Sequence, residues 1–239
     1  MRIKTYRMGK ERQTIDNFNG IIVASHKGWA DFFIQSAMAF PSCICRLAVA
    51  LVMPLGALSA YLGGNLLFFR RSSPSKNQNI EELNQKMQKT GERYKNCVDS
   101  INPRLLIFPE GHRKAERVIQ RIRTGTFRIA YQQKIPVMIL PCEGSQNIVR
   151  EKKMFIHSAD VNIDPEALPN NIIEGVGCND NKRLRGVCVL NCKEIVDPTK
   201  FKNWEDFYAE CDKLFREGYD EVCGMYDQIT KDTTAAILE

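Results

Sequence analysis

The stretch IIVASHKGWAD, Ile21 to Asp31, ends a short β-branched run in a histidine and sets an aspartate five positions beyond it. A carboxylate on one ring nitrogen of a histidine fixes the tautomer and stabilises the imidazolium. The other nitrogen can then take a proton from a hydroxyl. His26 and Asp31 are therefore a candidate base and its orienting partner. Residues five apart on a regular helix point to different faces, so the pairing needs a turn. Lys27-Gly28 supplies one between the strand and the apolar stretch Asp31 to Phe40. The spacing alone is common, and a half-exposed histidine at a strand end is the plainer alternative.

Two further stretches end in groups of this kind. RLLIFP, Arg104 to Pro109, delivers Glu110, Gly111, His112 and Arg113, and the run LLFF delivers Arg70 and Arg71. Together with SHKGWAD they supply a base, its carboxylate, arginines and a second carboxylate. The elements that must position them alternate. Apolar runs at Ile21–Ala24, Arg104–Pro109 and Ile135–Pro141 have the length and composition of buried strands. Between them lie a helix beginning near Asp31, a helix from Ile80 to about Tyr94 lined by Ile80, Leu83 and Met87, and a basic helix lined by Ile119, Ile122, Phe127 and Ile129 with an interruption near Thr124-Gly125. This order predicts an α/β fold: a single domain with a mainly parallel central sheet flanked by helices and an active site at strand ends. Arg185 to Ile195 reads as another strand. Asn203 to Tyr226 reads as a helix with Trp204, Phe207, Cys211, Leu214 and Phe215 inward, and Asp164 to Lys182 as an insertion loop. The domain is expected over 18–226, between a basic segment 1–17 and a tail 227–239.

With 239 residues, 44% hydrophobic and 26% charged, the chain has ordinary globular composition. The net charge of +6 is concentrated in two clusters, Arg2, Lys4, Arg7, Lys10 and Arg12, and Arg113, Lys114, Arg117, Arg121, Arg123 and Arg128. Each is either a solvated face or a contact for phosphates. Neither is interleaved with aromatic residues that would stack on bases, so no nucleic-acid partner is expected. Nine cysteines without a CxxC pair are expected to be reduced, with Cys188 and Cys192 in the core and no metal bound. The uncharged stretch Leu47–Phe69 meets the length of about 20 residues that spans a bilayer. However, Pro54, Gly56 and Gly63-Gly64-Asn65 divide it, which suggests a buried or membrane-interfacial segment. A true crossing would put His26 and Arg70 on opposite sides of a hydrocarbon core about 30 Å thick, so a shared site needs both ends on one face.

In these residues the chain resembles the glycerolipid acyltransferases typified by 1-acylglycerol-3-phosphate acyltransferase. Four blocks occur in the family's order: H-x4-D at His26 to Asp31, the glycine-to-arginine block at Gly64 to Arg70, FPEG-x-R at Phe108 to Arg113, and the apolar block with proline at Ile135 to Pro141. The resemblance implies transfer of a fatty acyl group from acyl-CoA, or an acyl carrier protein, to the hydroxyl of a lysophospholipid, most simply 1-acyl-sn-glycerol-3-phosphate. It makes His26 the general base and Asp31 its partner. Arg70 and Arg113 would bind the acceptor phosphate, with Glu110 and Gly111 shaping that pocket. No cofactor is implied. It also implies an anionic membrane surface as partner, at a cytosolic face: the endoplasmic reticulum in a eukaryote, the inner membrane in a bacterium. His112 stands where the family usually has threonine, Phe69 where an aspartate is common, and Ser25 where asparagine often precedes the histidine; the first two put the acceptor's identity in question. The sequence starts about two dozen residues before His26 without the hydrophobic N-terminal helix common in the family, so the expectation is either that the basic N-terminus and Leu47–Phe69 hold the protein at a membrane surface or that this is a shortened chain. Other classes stay open: a metal-assisted lipid hydrolase using His26, Asp31, Glu110 and His112, or a non-catalytic membrane-associated homologue.

Overall fold

Ile21, Ile22 and Val23 are all buried, yet alternate residues of a strand face opposite ways, so both faces of this strand must be covered. Two cores meet there. Ile22 joins Phe18, Leu106, Met138 and Leu140 on one side. Ile21 and Val23 join Tyr94, Leu105, Ile107, Phe127, Val137, Phe207 and Phe215 on the other. The computed structural model describes residues 3–28, 30–31, 34–35, 41–45, 66–68, 80–119, 121–148, 172–177 and 186–235.

In chain order the strands are β1 (Ile3–Gly9), β2 (Gly20–Val23), β3 (Ser42–Cys45), β4 (Leu66–Phe68), β5 (Arg104–Ile107), β6 (Val137–Ile139), β7 (Cys142–Glu143), β8 (Ile172–Gly177), β9 (Gly186–Cys192) and β10 (Glu194–Val196). The helices are α1 (Arg12–Asp16), α2 (Ile80–Asn96), α3 (Thr124–Gln133), α4 (Ser145–Ile148) and α5 (Trp204–Ala235), and Ala30-Asp31 and Ile34-Gln35 are also helical. The main sheet has the order β10-β6-β2-β5-β3-β4. It is parallel throughout except for β10, which runs antiparallel to β6. The predicted α/β fold with a mainly parallel central sheet flanked by helices is thus observed.

A second sheet, β7-β9-β1-β8, is mixed. Cys188, Leu190 and Cys192 of β9 face the core shared with Ile22, whereas Val187 and Val189 pack with Tyr6, Met8, Val222, Met225 and Ile229. Helix α5 spans both sheets. Its first half buries Phe207, Cys211 and Phe215 against the main sheet, and its second half buries Val222, Met225 and Ile229 against the mixed one.

This arrangement corrects several expectations. The basic start of the chain is not a separate segment, because β1 lies between β8 and β9, buries Lys4 and Arg7, and pairs Lys10 with Glu194 at 2.8 Å. The presumed insertion loop 164–182 contains β8, which pairs antiparallel with β1. The strand read over 185–195 is two strands separated at Lys193, one in each sheet. The basic helix starts only at Thr124, because Arg123 is extended (φ −77°, ψ 127°) and its N–H is bonded to Pro109 O at 3.0 Å. The tail is helical to Ala235. Of the apolar stretch 47–69, only Leu66–Phe68 is described, as the edge strand β4; the rest, like Arg70, lies outside the described residues. Among the described residues no helix is long and apolar enough to cross a membrane.

Candidate active site

Strands β2, β5 and β6 run parallel, so the turns that follow them emerge at one end of the sheet. The first turn, after β2, carries Ser25 to Asp31. Its carboxylate folds back as expected: Asp31 Oδ2 lies 2.9 Å from His26 Nδ1 and also accepts the backbone N–H groups of Lys27 at 2.6 Å and Gly28 at 2.9 Å. Asp31 is wholly buried, whereas the His26 side chain is 23% exposed. With Nδ1 on the carboxylate, Nε2 is the atom left to exchange a proton with a bound hydroxyl. Phe108 holds the imidazole plane, with ring centroids 4.1 Å apart and 12° from parallel.

The second turn, after β5, wraps this histidine. Glu110 is 1% exposed and points inward, and its Oε1 accepts the His26 N–H at 2.9 Å. Gly111 has φ +75°, which a glycine adopts at little cost. Past it, the Lys114 N–H donates to His26 O at 3.0 Å, so half-buried Arg113 adjoins the histidine's backbone, and His112 is exposed. The structure therefore brings His26, Asp31, Glu110, Gly111 and Arg113 together. Glu110 serves from behind, as a brace on the histidine's backbone. Among the described residues no group of three or more histidine, cysteine, aspartate or glutamate side chains is placed to hold a metal, so the four-residue set considered from sequence gains no support.

A model of the Acyltransferase family matches residues 7–143, more than half of the chain, and this span includes both turns. The chain belongs to the acyltransferase family. A relative in Caenorhabditis elegans, "Putative 1-acyl-sn-glycerol-3-phosphate acyltransferase acl-1", is 28% identical over 199 residues. That alignment takes in 82% of this chain and 61% of the relative, so the chain spans about three-fifths of the relative's length. The crystal structure of the 1-acyl-sn-glycerophosphate (LPA) acyltransferase PlsC from Thermotoga maritima superposes with a TM-score of 0.58 at 17% identity, covering 91% of this chain and 72% of that one. The two share a fold.

This acyltransferase-family site rests on residues that sequence reasoning passed over. Lys27 is buried beside the histidine, where its ammonium donates to Val118 O at 3.0 Å and Glu116 O at 3.2 Å and lies 4.5 Å from the Tyr219 ring centroid. It ties the segment after the second turn to the first. Glu143 is buried at the end of β7 and accepts from Arg117 at 3.0 Å, Gln146 at 2.6 Å and Tyr219 at 2.7 Å. Burial and the Glu143 carboxylate push the Tyr219 hydroxyl pKa well up, which keeps it a donor. Burial opposes the charge on Arg117, but its bonds to Asp227 and Glu143 outweigh that and raise its pKa. Ser25 both donates to Cys142 O at 2.6 Å and accepts the Cys142 N–H at 2.8 Å, joining the histidine turn to β7. A lysine directly after the histidine was visible in the sequence. Its partners, some 90 positions away, were not.

Proposed function

We propose that this chain transfers a fatty acyl group from acyl-CoA to the free hydroxyl of 1-acyl-sn-glycerol-3-phosphate, giving phosphatidic acid. His26 Nε2 takes the hydroxyl proton as the oxygen attacks the thioester carbonyl. The tetrahedral intermediate then expels the thiolate of coenzyme A, and the proton on His26 can pass to that sulfur. A thiol with a pKa near about 8.5 is a good leaving group, so the demanding step is deprotonation of the alcohol. Asp31 balances the imidazolium formed at that moment. Arg113, with Arg70, binds the acceptor phosphate, for which a guanidinium offers two parallel donors. No cofactor is needed beyond the donor thioester. The substrate is a lipid, so the protein works at a membrane surface, attached from one face.

The observation that carries this reading is the 2.9 Å contact of His26 Nδ1 with a buried carboxylate that already accepts two backbone N–H groups. The carboxylate is oriented before any substrate arrives, as general-base catalysis by the far nitrogen requires. The names of the two relatives supply the acceptor and the class of reaction. Incubation with labelled oleoyl-CoA and a panel of lysophospholipids tests it, the expected product being labelled phosphatidic acid. Absence of transfer to every acceptor, or selective transfer to one lacking phosphate, would overturn the assignment.

A further inference from the structure

Gly111 is more than a place where the chain turns. A Cβ built on it would lie 2.5 Å from Arg123 Cζ, 2.6 Å from Nε and 3.0 Å from Nη1, so the guanidinium fills the space that any side chain there would occupy. The Arg123 N–H donates to Pro109 O at 3.0 Å. Backbone and head group of Arg123 are thus both seated on the turn whose Glu110 holds the histidine's backbone. Other cations of the basic cluster are already engaged: Lys114 with Glu116 at 2.8 Å, Arg117 with Glu143 and Asp227, and Arg128 over the Trp204 ring. Arg123 is exposed, and among the described residues its guanidinium has no ion-pair partner. A fork of donors without an ion-pair partner among the described residues, seated on the turn whose Glu110 holds the histidine's backbone, suits a phosphate monoester.

We propose that Arg123 is a further cation of the acceptor subsite, contacting the phosphate beside Arg113, and that Gly111 is required there because it leaves room for the guanidinium. This rests on the acyltransferase reading above. Coenzyme A also carries a phosphate monoester, so the test must separate acceptor from donor.

Arg123→Ala, Arg123→Lys and Gly111→Ala are compared with the wild type, using oleoyl-CoA with either 1-oleoyl-glycerol 3-phosphate or 1-oleoyl-glycerol. In Arg123→Ala the KM for the phosphate-bearing acceptor should rise about tenfold, and the preference for that acceptor over 1-oleoyl-glycerol should fall by a similar factor. Lysine should recover part of the loss, and Gly111→Ala should reproduce it. An unchanged preference, or a rise confined to the oleoyl-CoA KM, overturns the proposal, the latter by assigning Arg123 to the donor. Calorimetric titration of 1-oleoyl-glycerol 3-phosphate into wild type and Arg123→Ala keeps the contact testable if neither acceptor is acylated. Weaker binding by the variant supports it, and equal binding removes it even where the wild-type enzyme is active.

Discussion

The two turns that meet at His26 use their polar groups in opposite ways. In the turn after β2 those groups are engaged: Asp31 Oδ2 serves three donors, Ser25 bonds Cys142 twice, and the Lys27 ammonium bonds two carbonyls. In the turn after β5, Glu110 Oε2 is buried with no hydrogen-bond partner among the described residues and His112 is exposed; the Arg123 guanidinium, seated on that turn, has no ion-pair partner among the described residues. A turn whose groups are mutually satisfied holds one atom, His26 Nε2, in a fixed direction. An exposed guanidinium without an ion-pair partner can meet an anionic ligand. The division suggests that changes in the first turn act on turnover and changes in the second on acceptor binding.

The largest effect should come from the first turn. His26→Ala removes the only group assigned to deprotonation, so kcat should fall at least about 100-fold with little change in thermal unfolding. Initial rates with 1-oleoyl-glycerol 3-phosphate and oleoyl-CoA measure it, and near wild-type turnover would end the assignment of His26. Asp31→Asn should be milder in rate, a loss of about 10- to 100-fold, but it should also destabilise the fold. An amide has one acceptor oxygen where the carboxylate offers charge to three donors, and lost charge-assisted bonds in a buried site are worth on the order of 2 kcal/mol. Urea unfolding checks this, and undiminished stability would show that the turn is not held by the carboxylate.

Smaller effects are expected from the second turn and the tie to it. Arg113→Ala should raise the acceptor KM about tenfold while kcat and the acyl-CoA KM change little, with partial rescue by lysine. If instead kcat falls and the acceptor KM holds, the two turns do not divide their work. Lys27→Met fills a similar volume but releases the carbonyls of Glu116 and Val118, so kcat/KM should drop roughly threefold. The arginine-rich segment 113–121 should then be cut faster by trypsin. Unaltered cleavage would mean that Lys27 does not anchor that segment.

Much of the main sheet was legible in the sequence, because strands buried on both faces read as unbroken apolar runs: IIV, RLLI and VMI. The histidine and aspartate were legible as well, since the turn that pairs them is local. The mixed sheet was not. β1, IKTYRMG, has no two-residue apolar alternation, since Lys4 and Arg7 fall on opposite faces, and its partners β8 and β9 lie more than 150 positions away. Ile119 and Ile122 matched helical spacing, but the described residues before Thr124 are irregular, tied down by Arg123's bond to Pro109 and by Lys27. Local pattern yielded there to long-range hydrogen bonds.

The two basic clusters mark the boundary between what sequence and tertiary structure decide. Read along the chain they are equivalent, each a crowd of lysines and arginines around one glutamate. By itself the sequence determined the residue types, the β-strand run before His26, the glycine that turns the chain at position 111, and the H-x4-D and FPEG-x-R spacings. These are local properties of backbone and side chain. Only the tertiary structure decided that Lys4 and Arg7 are buried in a central strand, while Arg113 precedes the residue whose N–H bonds the His26 carbonyl and Arg123 is seated on the turn at Gly111. The physical reason is that a charge's role depends on what surrounds it, and those surroundings are assembled from segments far apart in the chain.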